Sequence, residues 1–246
     1  MRQPLQQVLA SIASDRTHGA ARLARLAAQE LLEHGPNCSA EEVKAFCLGL
    51  VRAQPAMAPL STLANRVLQS GLDSVPVFLD EAEQAVRRIA SHAAGLIAEG
   101  AAVMTHSYSQ TVLDCLLASR GKGIRVIATE SWPLGEGIAL AGELKKAGIT
   151  VDLISDNQVP PQASLVLVGA DAVTPAGLVN KIGTAPLALT ALEHGKPFYA
   201  ASSTHKLARQ PFVEPLFDLT PLHLITAVIT EIGVLDPARL PFSESG

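Results

Sequence analysis

The spacing of apolar residues changes near residue 100, and this change constrains the fold more than any other feature of the sequence. Before it, apolar residues recur at three- and four-residue intervals, the period of amphipathic helices. After it, short apolar runs alternate with helical segments, which is typical of a parallel sheet with helices on its faces. The sequence therefore predicts an α/β fold preceded by a helical domain.

Element boundaries follow from the same pattern. The predicted N-terminal helices are 5–13, 18–34, 40–53, 58–69 and a longer one at about 77–100. The predicted strands are 101–105, 124–128, 151–154, 165–168 and 198–201, and the helices between them are 109–119, 137–147 and 185–194. The tail 221–231 predicts a short helix and a final strand. Ser39 and Glu42 have the spacing of a capping box.

The boundary between the two predicted parts is expected near residue 75. Residues 1–75 would form the helical domain and residues 76–246 the α/β ligand-binding domain, with the long helix 77–100 connecting them. With 246 residues, 48% of them hydrophobic and 17% charged, the chain can bury a large core.

The composition also disfavours two kinds of partner, nucleic acid and a membrane. The net charge is −4 and no basic block is present, so direct binding of nucleic acid is disfavoured. No apolar run approaches the roughly 18 residues that span a bilayer, and residues 1–15 lack an apolar signal core. We therefore expect a cytoplasmic protein without a membrane segment.

Three cysteines bear on the expected chemistry. Cys38, Cys47 and Cys115 have no metal-ligand spacing and are odd in number. We interpret them as reduced core residues. Neither a metal nor a cofactor is expected.

The segment Gly169–Thr184 combines an acid, an amide and a lysine on what is expected to be one loop, directly after a predicted buried strand. In open α/β sheets, ligands bind beyond the carboxyl ends of the strands. Asp171 can exchange a proton there, and Asn180 and Lys181 can hold an anion or a sugar hydroxyl. Free N–H groups of the helix that begins after Gly183 favour phosphate. A small phosphorylated ligand is therefore predicted.

Polar residues follow the other predicted strands as well. Ser109 either caps the next helix or contacts the ligand. Glu130 either contacts a hydroxyl or bonds the backbone within a Pro/Gly turn, and Asp156 is expected to order its loop. Lys206 would add positive charge near the same crevice, and His106 is a further candidate.

Together these segments resemble one family. It contains the alpha, beta and delta regulatory subunits of eukaryotic translation initiation factor 2B, and also methylthioribose-1-phosphate isomerase and ribose-1,5-bisphosphate isomerase. The matching segments are Thr105-His-Ser-Tyr-Ser109, Thr129-Glu-Ser-Trp-Pro133, Gly169-Ala-Asp171, Asn180-Lys-Ile-Gly-Thr184, Gly195-Lys-Pro-Phe-Tyr199, Phe217-Asp-Leu-Thr-Pro221 and Ile229-Thr-Glu231. The resemblance implies a Rossmann-like C-terminal domain, of the kind shared with ribose-5-phosphate isomerase and CoA transferases. It also implies a homodimer or an assembly of dimers.

The resemblance implies roles for two residues in catalysis. The isomerases interconvert a sugar 1-phosphate aldose and its ketose with a Cys and an Asp, and Asp171 matches that Asp. Ser107 stands where the Cys is expected. A hydroxyl is a far weaker acid than a thiol, so proton abstraction by Ser107 would need an adjacent base, for which His106 is the candidate.

The resemblance also implies ligand contacts. They fall on Gly19, Ala20, Ser109, Asn180, Lys181 and Lys206. Arg16, close to Gly19 in sequence, is a further candidate for phosphate. Two arginines of the isomerases are replaced here by Gln54 and Trp132, which suggests a ligand with one phosphate fewer or a rearranged pocket.

Two functions therefore remain open. One is an initiation factor 2B-like protein that binds a phosphorylated sugar or nucleotide and isomerises a sugar 1-phosphate with Asp171. The other is a non-catalytic metabolite-binding or translation-regulatory protein, since some of the translation-factor subunits resemble receptors for such ligands. A CoA-transferase-like enzyme is disfavoured, because Glu130 matches the nucleophilic Glu of those enzymes poorly.

Overall fold

The computed structural model describes residues 3–15, 18–156, 158–209 and 215–242. The chain divides into two compact units, Met1–Gln84 and Ala85–Gly246. The division falls inside the long helix that was predicted to connect the two domains. Within the described ranges, no helix has both the length and the apolar character needed to cross a membrane.

The N-terminal unit consists of amphipathic helices, as the apolar spacing predicted. They are α1 (Gln3–Ser14), α2 (Ala20–His34), α3 (Ala40–Ala53), α4 (Ala58–Ser70) and the first part of α5 (Ser74–Leu96). Their buried faces contribute Leu23, Leu31, Phe46, Leu60 and Leu63. The predicted capping box is confirmed, since Ser39 and Glu42 exchange hydrogen bonds at the start of α3.

The C-terminal unit alternates strands and helices. Its strands are β1 (Ala102–Thr105), β2 (Arg125–Thr129), β3 (Thr150–Ile154), β4 (Leu165–Val168), β5 (Ala172–Thr174), β6 (Gly177–Lys181), β7 (Phe198–Ala201), β8 (Phe217–Thr220), β9 (Ala227–Thr230) and β10 (Gly233–Leu235). Its further helices are α6 (Gln110–Ala118), α7 (Glu136–Lys146) and α8 (Thr184–Glu193). The five predicted strands and three predicted helices of this part are all present, within a residue or two of their predicted ends.

The main sheet has the order β10-β9-β7-β4-β1-β2-β3. All neighbouring pairs are parallel except β9 and β10. The buried apolar residues of β1, β2 and β4 form core clusters with α6, α7 and α8. The α/β fold with a mostly parallel sheet is therefore confirmed.

One part of the prediction was wrong. Residues 169–184 were expected to form a loop, but β5 and β6 form a hairpin that pairs with β8 in a second, three-stranded sheet. The hairpin turns at Pro175 and Ala176, and the N–H of Gly177, the first residue of β6, donates to the hydroxyl of Thr174. A three-residue strand is too short for an alternating pattern to be recognised. The antiparallel β10 was missed for the same reason.

Helix α7 begins directly against the end of β2. A Cβ atom at Gly137 would overlap the backbone carbonyl of Thr129 and lie 2.8 Å from Oγ of Ser131. Only glycine allows this approach, which brings the start of α7 to the carboxyl edge of the sheet. Gly142, in the same helix, has open space where its Cβ would lie.

These two glycines make a matched pair. Gly137→Ala is expected to lower the free energy of unfolding by about 1–3 kcal/mol, because the methyl group forces the helix off the strand. Gly142→Ala is expected to raise it by about 0.5–1 kcal/mol, because alanine favours a helix interior over glycine. Urea unfolding of both variants measures the difference, and equal effects at both positions would contradict the close approach.

Candidate active site

Residues that follow β1, β4 and β7 of the main sheet, and β6 of the small sheet, contact one another in pairs at the carboxyl ends of these strands. Nε2 of His106, after β1, lies 2.9 Å from the carbonyl oxygen of Ile182, after β6. Nζ of Lys206, after β7, donates to the carbonyl of Ala170, after β4, at 2.5 Å. The polar residues that the sequence places far apart are therefore joined by direct contacts.

Asp171 lies near two of the other predicted site residues. Its backbone N–H donates to the carbonyl of Val179 at 2.9 Å, which sets it beside Asn180 of β6. Lys206 is buried and donates to the carbonyl of Ala170, the residue before Asp171. Burial lowers the pKa of the Lys206 ammonium group, while the negative charge of Asp171 acts in the opposite direction. The structure therefore brings Asp171 close to Asn180 and Lys206.

Asn180 is buried and its amide is already positioned. Its Nδ2 donates to Oγ1 of Thr184 at 3.1 Å, and the Thr184 hydroxyl donates to the carbonyl of Lys181. Asn180 also pairs with Asp218 across the small sheet. This fixes the end of β6 against the start of α8.

Lys181 is paired with an acid that sequence reasoning missed. Its Nζ lies 2.7 Å from Oε1 of Glu136, with side-chain exposures of 5% for Lys181 and 16% for Glu136. Oε2 of Glu136 is buried and has no hydrogen-bond partner among the residues that the structure describes. Glu136 escaped notice because Gly135-Glu-Gly137 was interpreted as part of a turn, whereas it begins α7.

His106 sits in a buried hydrogen-bond network. Its Nε2 faces the Ile182 carbonyl, which can only accept, so the ring proton is on Nε2 and Nδ1 accepts from the hydroxyl of Thr129 at 2.7 Å. Burial lowers the pKa of His106 from its ordinary value, which favours the neutral ring. Since both nitrogens are engaged, the expectation that His106 serves as the base for Ser107 is wrong.

Ser107 and Ser131 share an uncommon backbone conformation. Their φ angles are 66° and 64°, in the left-handed region that residues other than glycine seldom adopt. The N–H of Ser107 donates to Oγ of Ser131 at 2.7 Å, and Asp156 accepts from the N–H groups of Ser131 and Trp132. Such strain is common at functional sites. Asp156 orders a loop, as expected, although the loop is the one after β2.

Two other predicted contacts have partners within the protein. Ser109 caps α6 by accepting from the N–H of Val112 at 3.4 Å, which confirms the capping interpretation. Oε2 of Glu130 accepts from the indole N–H of Trp132 at 2.9 Å, and not from a backbone group. Trp132 itself is 56% exposed. Ligand contact by Ser109 and Glu130 stays a prediction.

Asp218 is a second acid that the sequence argument did not single out. Its Oδ2 accepts from the N–H groups of Gly183 and Ala185 at 2.8 and 3.1 Å. The expectation of free N–H groups for phosphate at the start of α8 is therefore wrong, because a carboxylate from β8 occupies them. Oδ1 of Asp218 is buried and finds no hydrogen-bond partner in the described part of the chain, and burial raises the pKa of this carboxyl group.

The remaining predicted contacts lie in the helical unit. Gly19 precedes α2 and Ala20 begins it, with no side-chain cap at that end. Gln54 is buried and donates from Nε2 to the carbonyls of Ile12 and Asp15, at 2.8 and 2.9 Å. Its amide group therefore ties the end of α1 to the end of α3. Arg16 lies outside the described residues.

The cysteines are free. Burial raises the pKa of Cys47 to about 11 and that of Cys115 to about 12, as expected for core thiols. Cys38 is only partly buried. In the described part of the chain, no cluster of three or more His, Cys, Asp or Glu side chains could hold a metal ion.

The buried His106 predicts a pH dependence of stability. Between its lowered pKa and the ordinary value of 6.5, the unfolded chain binds a proton that the folded chain does not. The free energy of unfolding should therefore fall as the pH drops from about 7 to about 5. In His106→Gln, whose amide can still donate to Ile182, the fall should be shallower. Urea unfolding of both proteins between about pH 5 and 7 tests this prediction. The same change of unfolding free energy with pH in the wild type and in His106→Gln would refute it.

Comparisons with known proteins show which family the chain belongs to. The profile of the Initiation factor 2 subunit family matches residues 49–214 and 208–237. A translation initiation factor eIF-2B subunit 2-like protein of Pyrococcus abyssi is 34% identical, over 95% of this chain and 96% of its own. The ribose 1,5-bisphosphate isomerase of Archaeoglobus fulgidus is 33% identical, over 92% and 88%.

A solved structure agrees with these two relatives. The crystal structure of the Pyrococcus horikoshii translation initiation factor eIF-2B superposes with a TM-score of 0.90 at 30% identity, covering 97% of this chain and 99% of that one. The family profile, the sequence identities and the superposed structure thus indicate the same family over nearly the whole length of the chain. The chain belongs to the Initiation factor 2 subunit family.

Proposed function

We propose that this protein is a homodimer that binds a phosphorylated sugar or nucleotide, and that it isomerises a sugar 1-phosphate aldose to its ketose with Asp171. Relatives of the chain include a named sugar-phosphate isomerase. The observation that carries the proposal is the position of Asp171, next to Asn180 on β6 and within the field of the buried Lys206 ammonium.

In a sugar 1-phosphate, C1 carries both the phosphate ester and the ring oxygen. Isomerisation therefore breaks the bond from C1 to the ring oxygen, moves a proton from C2 to C1 and passes the O2 hydroxyl proton to the released ring oxygen, without an external oxidant. One carboxylate can take the proton from C2 and return it to C1. Lys206 donates to the carbonyl of Ala170, the residue before Asp171, so its ammonium group lies near the proposed acid/base. Asn180 and Lys181 would hold hydroxyl groups of the sugar while the proton moves.

In this proposal, Ser107 has a supporting part. Its backbone is held in the left-handed conformation by the bond to Ser131. Its hydroxyl would hydrogen-bond a reacting oxygen of the sugar, since the neutral His106 is not available to deprotonate it. The proton transfer at carbon therefore rests on Asp171.

The second candidate is a metabolite receptor without turnover, related to the translation-factor subunits. The observation that favours it is Ser107, because a hydroxyl without an adjacent base is a poor proton donor or acceptor. Both candidates use the same ligand site and differ only in whether the ligand is converted.

Replacing Asp171 separates these candidates. Asp171→Asn is expected to abolish isomerisation and to leave ligand binding within a few fold, because the amide keeps the shape but cannot carry the proton. The measurement is turnover of pentose 1-phosphates beside a thermal-shift assay of binding. Asp152→Asn, which removes a surface carboxylate from β3, is the control and should leave turnover unchanged. Turnover that survives Asp171→Asn would refute the mechanism.

Restoring a thiol tests the part played by Ser107. Ser107→Cys is expected to raise kcat by about 10²-fold, because a thiol can exchange a proton with the reacting oxygen that the Ser107 hydroxyl only hydrogen-bonds. The double variant Ser107→Cys with Asp171→Asn should be inactive, since it lacks the carboxylate that moves the proton between the two carbons. A wild-type protein that binds pentose 1-phosphates but converts none, with no gain in Ser107→Cys, would support the receptor instead.

A further inference from the structure

The ion pair between Lys181 and Glu136 changes what the end of β6 can bind. Lys181 was expected to hold either an anion or a sugar hydroxyl, and Oε1 of Glu136 lies 2.7 Å from its ammonium group, with both side chains largely buried. A buried pair of this kind is poorly screened by solvent. The charge of Lys181 is therefore matched locally by the protein itself.

Two acceptor atoms remain in the same cluster. Oε2 of Glu136 and Oδ1 of Asp218 are buried and have no hydrogen-bond partner within the described residues. Asp218 pairs with Asn180, the neighbour of Lys181, across β6 and β8, so both carboxylates lie near the end of β6. Buried polar atoms without partners are uncommon in native proteins and are typically satisfied by water or a ligand.

Both of these atoms belong to carboxylates, and this decides the chemistry they favour. A carboxylate oxygen accepts a hydrogen bond from a hydroxyl donor and repels a phosphate oxygen. The start of α8, the other expected anion site, is already capped by Asp218. The end of the site next to Lys181 is thus suited to hydrogen-bond donors such as hydroxyl groups, and not to anions.

We infer that Glu136 is a specificity-determining residue, which directs hydroxyl groups of the ligand to Lys181 and excludes its phosphate from that position. This inference rests on the proposed function, because it concerns the same ligand site. Asn180, on the same strand, accompanies Lys181 in contacting the hydroxyl groups. The phosphate of the ligand then lies away from Lys181.

The test removes the charge of Glu136 and keeps its shape. Glu136→Gln frees the Lys181 ammonium group, and titration calorimetry with inorganic phosphate should show binding about tenfold tighter than in the wild type. With D-ribose, which offers hydroxyl groups and no charge, binding should weaken by a similar factor. Glu136→Ala is a second variant without the carboxylate and should give the same rise with phosphate.

Two controls make the result specific. Glu143→Gln removes a carboxylate from the same helix, where Glu143 forms an exposed pair with Lys146, and should change neither affinity. Adding Lys181→Gln to Glu136→Gln should abolish the gain with phosphate. An unfolding midpoint close to that of the wild type shows that each variant folds.

Several outcomes would overturn the inference. The first is a phosphate affinity that stays unchanged in both Glu136 variants, and the second is that neither variant binds phosphate. The third is a gain in phosphate affinity in Glu143→Gln equal to that in Glu136→Gln. None of these readouts involves turnover. A protein without isomerase activity would refute the proposed function and leave the role of Glu136 standing, whereas an unchanged phosphate affinity would refute that role alone.

Discussion

The buried hydrogen bonds of His106 hold the carboxyl edge of the sheet together. One ring nitrogen bonds Thr129 at the end of β2, and the other bonds Ile182 at the end of β6. Because the ring is neutral, both bonds can form without burying a charge. His106 thus links the segment after β1 to the ends of β2 and β6, and both of its ring nitrogens are engaged.

Charge in the α/β unit is distributed as matched pairs. Lys181 faces Glu136, Lys206 lies in the field of Asp171, and Asp218 caps the positive end of α8. In the proposed site, the carboxylate of Glu136 beside Lys181 favours a hydroxyl group of the ligand over its phosphate.

Much of the fold and part of the site could be predicted without coordinates. Helical periodicity located α3 to the residue, and the apolar runs located β4 and β7 equally well, because burial of one face imposes a repeat that a sequence displays. The hairpin β5–β6 and the strand β8 were missed, since three- to five-residue strands that are wholly or partly buried show no alternation. Asp171, Asn180 and Lys206 were singled out because polar residues after buried strands are unusual.

The sequence by itself determined the fold class, the family and the residue types at the ends of the strands. Only the tertiary structure decided which of those residues meet. Glu136 and Lys181 are separated by 45 positions, and Asp218 reaches the start of α8 from 33 residues away. Such contacts have no local signature, because they depend on how helices and strands pack. The same packing buries His106, which was a candidate base, and engages both of its ring nitrogens in hydrogen bonds.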